Sequence, residues 1–182
     1  MLQYSERVIT DALKDKVLEA IERTEHLVAQ IPAERLKWAP EFTGAHAPPQ
    51  DLGHILGHLI DCLAGFCAAF AAGFPAELAD FQRLRRLPVN QFCSPPEASE
   101  GLRLFTECVE RGFRCCADAD LARRIPTVFV PEGESLVTLL LGNFEHLTNH
   151  KYQLFLYLKL AGMSVGTSDL YRLRRPAPTA VD

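Results

Sequence analysis

Two histidine pairs carry the clearest chemical signal in this chain: His54 with His58, and His146 with His150. Each pair is spaced four residues apart, so on a helix its two rings stand on one face, one above the other. Imidazoles at that spacing can chelate one divalent cation, and a third ligand then has to come from another helix. Asp61 follows His58 by three residues and is the nearest carboxylate on that face. A buried imidazole without a partner costs free energy. A metal shared between the pairs satisfies it, and so does a hydrogen bond to Asp61 or to a backbone carbonyl. The remaining histidines, His26 and His46, have no histidine at chelating spacing and read as ordinary surface or core-edge residues.

The elements that must position these residues are helical. Residues 135–162 contain no proline, and Leu136, Leu140, Phe144, Leu147, Leu154 and Leu158 recur at helical spacing. Ser135 is a candidate N-cap and Gly162 a C-terminal stop. Residues 51–73 form the helix of the other pair, with Asp51 as its cap. Apolar stripes predict two more helices, over 5–31 with Ser5 as cap and over 96–119. Proline-rich connections separate them. The first holds Trp38, which is predicted to fold back onto the core. The second, 74–96, has room for a turn or two of helix at 76–87. A short β-like run is expected at 127–130. The chain is expected to be one bundle over 1–172, extended after residue 162, with a poorly ordered tail at 173–182. The fold class is therefore all-α, a four-helix bundle with long inter-helix connections.

The bulk numbers narrow the function. The chain has 182 residues, 48% hydrophobic and 23% charged, enough for one domain with a core. A net charge of −4 offers no electrostatic case for nucleic acid. Short basic clusters at Arg83/Arg85/Arg86, Arg123/Arg124 and Arg172/Arg174/Arg175 read as solvated faces; the alternative is that one meets an anionic substrate at a pocket mouth. The six cysteines form no CxxC and sit mostly in apolar helical stretches, where they act as small hydrophobes. The N-terminal MLQYSERVITDALK has no apolar signal core and no membrane span is read, so a cytoplasmic protein with reduced thiols is expected. No GxSxG and no glycine-rich phosphate loop is present.

These motifs resemble the DinB-like superfamily of bacterial four-helix metal-binding proteins. The family's second helix carries a polar cap, an apolar stretch, His-Leu and often an acidic residue. Here these are Asp51, 52–57, His58-Leu59 and Asp61. Its last long helix carries two histidines four apart, then Gln-Leu, Tyr-Leu and a glycine. Here these are His146, His150, Gln153-Leu154, Tyr157-Leu158 and Gly162. The chain departs from the family in having Gln50-Asp51 for the frequent Trp-Ser, and in the extra His54. The resemblance implies one metal held by His58, His146 and His150, with zinc, nickel or iron all compatible with imidazole ligands. It also implies a thiol-dependent S-transferase that takes a low-molecular-weight thiol and a small electrophile. The alternatives are a metal-dependent hydrolase and a non-catalytic, stress-related metal-binding bundle. His54 and Asp61 are candidates for orienting a ligand or moving a proton. Relatives are often dimers, and a homodimer through the first or third helix is expected.

Overall fold

A computed structural model describes residues 7–41, 50–127 and 130–171. Ser5, His46, the Arg172/Arg174/Arg175 cluster and the tail at 173–182 lie outside the described residues. Four long helices dominate: α1 (Val8–Val28), α2 (Leu52–Gly73), α4 (Pro95–Cys115) and α5 (Leu136–Leu160). Two short ones, α3 (Phe81–Leu84) and α6 (Thr167–Leu170), sit in the connections.

The two helices that carry the histidine pairs begin on the predicted caps. Asp51 accepts a hydrogen bond from the His54 N–H at 3.0 Å, and Ser135 accepts one from the Thr138 N–H at 3.2 Å. The end of α5 is also as expected. Gly162 takes φ +82°, and the N–H groups of Gly162 and Met163 donate back to the carbonyls of Lys159 and Leu158. The first turn of α1 is capped from far away. The N–H groups of Ile9 and Thr10 donate to the Asp118 carboxylate at 3.1 and 2.8 Å, tying the start of the bundle to the turn after α4.

Packing sets the ring order α1–α4–α2–α5. α2 lies against both α4 and α5, and α1 closes the far side against the same two. Consecutive helices α1 and α2 thus sit across the diagonal, which is why their connection is long. α2 and α5 are neighbours, as a shared site between them requires. Leu52, Ile55, Leu59, Leu63, Phe66 and Phe70 of α2 are buried against Phe105, Phe113, Leu140, Leu147 and Leu154. Phe70 meets Phe113 edge-on at 4.9 Å between ring centroids, a geometry worth about 0.5–1.5 kcal/mol beyond area burial. α2 is the one described helix long and apolar enough to cross a membrane, and its most apolar window is 61% buried inside the bundle.

Several expectations need correction. α1 ends at Val28, and 29–31 continue as turns closed by bonds from Gln30 and Ile31 to Leu27 and Val28. α4 stops at Cys115, because Cys116 turns extended and Asp118–Ala122 forms a separate 3-10 turn. The β-like run expected at 127–130 falls partly outside the described residues, at 128 and 129; the strand pair that is described lies on either side of it. The pair joins Arg124–Ile125 to Glu134–Ser135, antiparallel, with the glycine turn between. After Gly162 the chain is not simply extended: α6 buries Leu170, and its Asp169 bonds His26 of α1 at 2.8 Å. Arg123 is exposed yet engaged, its side chain 44% accessible. It donates to the Gly73 carbonyl at the end of α2 and lies over the Phe74 ring. Among the described residues, the exposed large apolar side chains on long helices are Val8 and Ile9 of α1 and Leu141, Tyr152, Leu156 and Leu160 of α5. Trp38 does fold back, edge-on to Tyr157 at 5.8 Å.

Candidate metal centre

His58 stands on α2 and His146 and His150 stand one turn apart on α5, so the α2–α5 contact brings the three rings together. His58 Nε2 lies 3.1 Å from His146 Nε2 and 3.0 Å from His150 Nε2. One ligand nitrogen from each ring falls within 4.8 Å of the other two. A tetrahedral ion with nitrogens at about 2.0–2.1 Å holds them roughly 3.3 Å apart, so the observed spacing is close to that of a coordination shell.

The opposite ring nitrogens decide what faces inward. His58 Nδ1 lies 2.9 Å from Asn90 Oδ1, and His150 Nδ1 lies 2.8 Å from Gln153 Oε1. An amide oxygen accepts only, so each Nδ1 carries the proton. Each Nε2 is then a bare lone pair, and the two lone pairs meet at 3.0 Å. No hydrogen bond can satisfy that contact, whereas a cation between them can. The donor set therefore fits a divalent metal, and this three-histidine group could hold one. Gln153 is held in turn by Tyr157, its amide nitrogen 3.5 Å from the phenol oxygen. Outer contacts of this kind fix ring orientation and tautomer.

The sequence reading expected Asp61 to be the partner of His58. That place is filled by Asn90, and the residue that brings it there lies in α2 itself. Residues 88–93 form a strap along α2, where the N–H groups of Asn90 and Cys93 donate to the carbonyls of Gly57 and Gly53 at 2.8 and 3.1 Å. Asn90 takes φ 56°, a left-handed conformation that asparagine tolerates better than most residues. Its position in a proline-bounded connector was the one available sequence signal. Gln153 was more accessible, because it lies three residues beyond His150 on the same helix face.

Asp61 instead faces a cavity of about 420 Å³ whose wall it shares with His146, Asn143 and Arg85. His54 stands apart from the convergent nitrogens. Its Nδ1 bonds Asp51 at 2.8 Å, its ring meets Phe92 edge-on, and its side chain is 46% exposed.

Burial, followed by the charge of His58, holds His146 below the usual imidazole value, with Asp61 opposing. Burial is also the main cause for His150, with Gln153 opposing. Both rings therefore stay neutral, the form that ligates, to lower pH than free imidazole does. In the unfolded chain they take protons near the ordinary value of about 6.5. As pH falls through that value toward the lowered folded ones, the unfolded state binds more protons and folding stability declines. The metal-free protein should thus lose thermal stability as pH drops below about 6.5, and the loss should flatten in His146→Gln/His150→Gln. Thermal melts from pH 8 to pH 5 check this; a slope unchanged by the double substitution refutes it.

No protein-family model matches the chain, and no curated protein matches it. Among solved structures it resembles a DinB-like protein, YjoA, of Bacillus subtilis, with a TM-score of 0.63 over 85% of this chain and 94% of that one. The chain has the DinB-like fold. At 17% identity the likeness is one of fold. Within this DinB-like bundle the three histidines come from the second and last long helices, where the motif resemblance puts the ligands.

Proposed function

We propose that this DinB-like protein is a metal-dependent enzyme that transfers a low-molecular-weight thiol onto a small electrophile. His58, His146 and His150 hold the metal, with zinc ahead of nickel or iron, and the cytoplasm's reduced thiols supply the co-substrate. The observation that carries this reading is the bare Nε2 contact between His58 and His150 at 3.0 Å, with His146 shared between that group and the cavity of about 420 Å³. Three protein ligands rather than four would be the donor count of catalytic rather than structural zinc. A divalent cation held by these three rings would supply Lewis acidity that lowers the pKa of a thiol. A carboxylate oxygen of Asp61 takes the thiol proton. The sulfur then forms its bond to the electrophilic carbon, and the leaving group departs with the electron pair of the bond it breaks. Asn90 and Gln153 keep the ligand rings turned inward. His54, held by Asp51, stays outside this chemistry.

A metal-dependent hydrolase is the second reading. Asp61 favours it equally, since an unpaired carboxylate beside His146 can accept a proton from water as well as from a thiol. The test is a panel of small thiols with 1-chloro-2,4-dinitrobenzene, run with zinc-reconstituted protein. Zinc-dependent thioether formation is the expected result. Asp61→Asn should slow it by about 10²–10⁴-fold, the usual weight of a general base, at unchanged zinc content. Zinc-dependent ester cleavage that needs no thiol would establish the hydrolase instead. No turnover of either kind would leave a metal-binding bundle without catalysis.

A further inference from the structure

The cavity beside His146 has two ends of opposite charge. Asp61 and Arg85 both line it, and among the described residues neither side chain has a hydrogen bond or ion pair. Between them the wall is mostly apolar, built from Ala64, Ala68, Phe81, Leu84, Leu87 and Phe105. A second cavity of about 590 Å³ shares Leu87 and Phe105 with it. The acidic groups of that second cavity are already engaged, Glu97 in the α4 cap with Ser94 and Glu100 with Arg103. Of these two cavities, the first is the one whose charged lining residues are unengaged among the described residues.

We propose that the cavity beside His146 binds an organic monoanion with an apolar body, its carboxylate paired with Arg85 and its other end beside Asp61 and His146. This assignment of the substrate class rests on the reading of the three-histidine group as the reactive centre. Four observations support it. The volume falls in the range of small-molecule sites. Arg85 is exposed at the mouth, and its planar fork of donors matches a carboxylate. Its neighbours Arg83 and Arg86 do not line the cavity, so the cluster contributes one charge rather than a diffuse basic face. At the other end, Asp61 repels a second anionic group. The ligand therefore enters with one orientation, anion outward and uncharged end inward.

The test uses three matched probes, 4-phenylbutyrate, 4-phenylbutanamide and 4-phenylbutylamine, titrated calorimetrically into the zinc-loaded protein. The carboxylate should bind about fivefold or more tighter than the amide, the scale of a partly exposed charged contact. Arg85→Gln should erase that preference at unchanged zinc stoichiometry and thermal stability, and Arg85→Lys should restore part of it. Asp61→Asn should tighten carboxylate binding, a change opposite in sign to that of Arg85→Gln, which a merely structural role does not produce. Equal binding of all three probes overturns the proposal. So does a carboxylate preference that survives Arg85→Gln, because the anion then sits on the zinc. A protein that binds one zinc per chain without any anion preference sinks this inference alone. A protein that takes up no zinc yet keeps the Arg85-dependent preference sinks the metal reading and leaves the anion site standing.

Discussion

His146→Ala is expected to abolish stoichiometric zinc binding, and His58→Ala and His150→Ala should each do the same. Every one of the three supplies one nitrogen to a group whose members approach to 3.0–3.1 Å. Among the described residues no other histidine, cysteine or carboxylate belongs to the group, so the remaining pair has no third member to recruit. The loss should exceed by far the roughly 10–100-fold that follows removal of an outer hydrogen-bond partner. His26→Ala and His46→Ala should retain one zinc per chain. His26 bonds Asp169 at 2.8 Å, in the α1–α6 contact. Elemental analysis of protein purified without a nickel column gives the stoichiometry, and competition with a chromophoric chelator gives the affinity. A His146→Ala protein that kept one zinc at unchanged affinity would show that the histidine cluster is not a metal site.

Gly57→Ala should damage the site from its outer side. A Cβ on Gly57 would lie 1.7 Å from the Gln91 carbonyl oxygen and 2.6 Å from its backbone C and N. Backbone cannot swing aside as a side chain can, so the strap must lift off α2. Forced overpacking costs about 1–3 kcal/mol, offset by about 1 kcal/mol of helix propensity gained on replacing glycine. The net should be a fall in melting temperature of a few degrees, at about 2–4 °C per kcal/mol for a chain of this size. The larger effect is on the metal. Lifting the strap takes the Asn90 amide from His58 Nδ1, so zinc affinity should fall by about 10–100-fold. Asn90→Ala should reproduce the affinity loss with a smaller change in melting temperature. Gly142→Ala is the control: nothing lies within 4 Å of its added Cβ, so propensity alone should stabilise by up to about 1 kcal/mol. If Gly57→Ala melts and binds zinc as the wild type does, the strap is not what holds Asn90 in place.

What could be read from the sequence follows the reach of local physics. Long amphipathic stripes and local caps are written within a few residues, so Asp51, Ser135 and Gly162 marked their helix ends well. The three-histidine group was legible because four-residue spacing puts His146 and His150 on one face, and because the motif around His58 singled it out from His54. The strap was not legible. Its bonds run from Asn90 and Cys93 to carbonyls already inside a helix, at glycines whose spacing looks like ordinary interior filler. The cap of α1 was equally hidden, since Asp118 reaches Thr10 from 108 residues away. Asp61 was correctly placed near the site but given the wrong neighbour, because helix geometry fixes the face of a residue and not which connector folds over it. The short ladder was not read at all: two residues on each side, Arg124–Ile125 and Glu134–Ser135, are too few to show an alternation.

His58 and His146 are 88 residues apart in the chain. During synthesis at roughly 5–20 residues per second, His58 leaves the ribosome about 4–18 seconds before its α5 partners exist. The three rings therefore cannot converge until α5 has emerged and packed against α2. A cation that needs all three nitrogens would thus meet a bundle whose second and last long helices are already side by side, and the fold would come before the ligand rather than form around it.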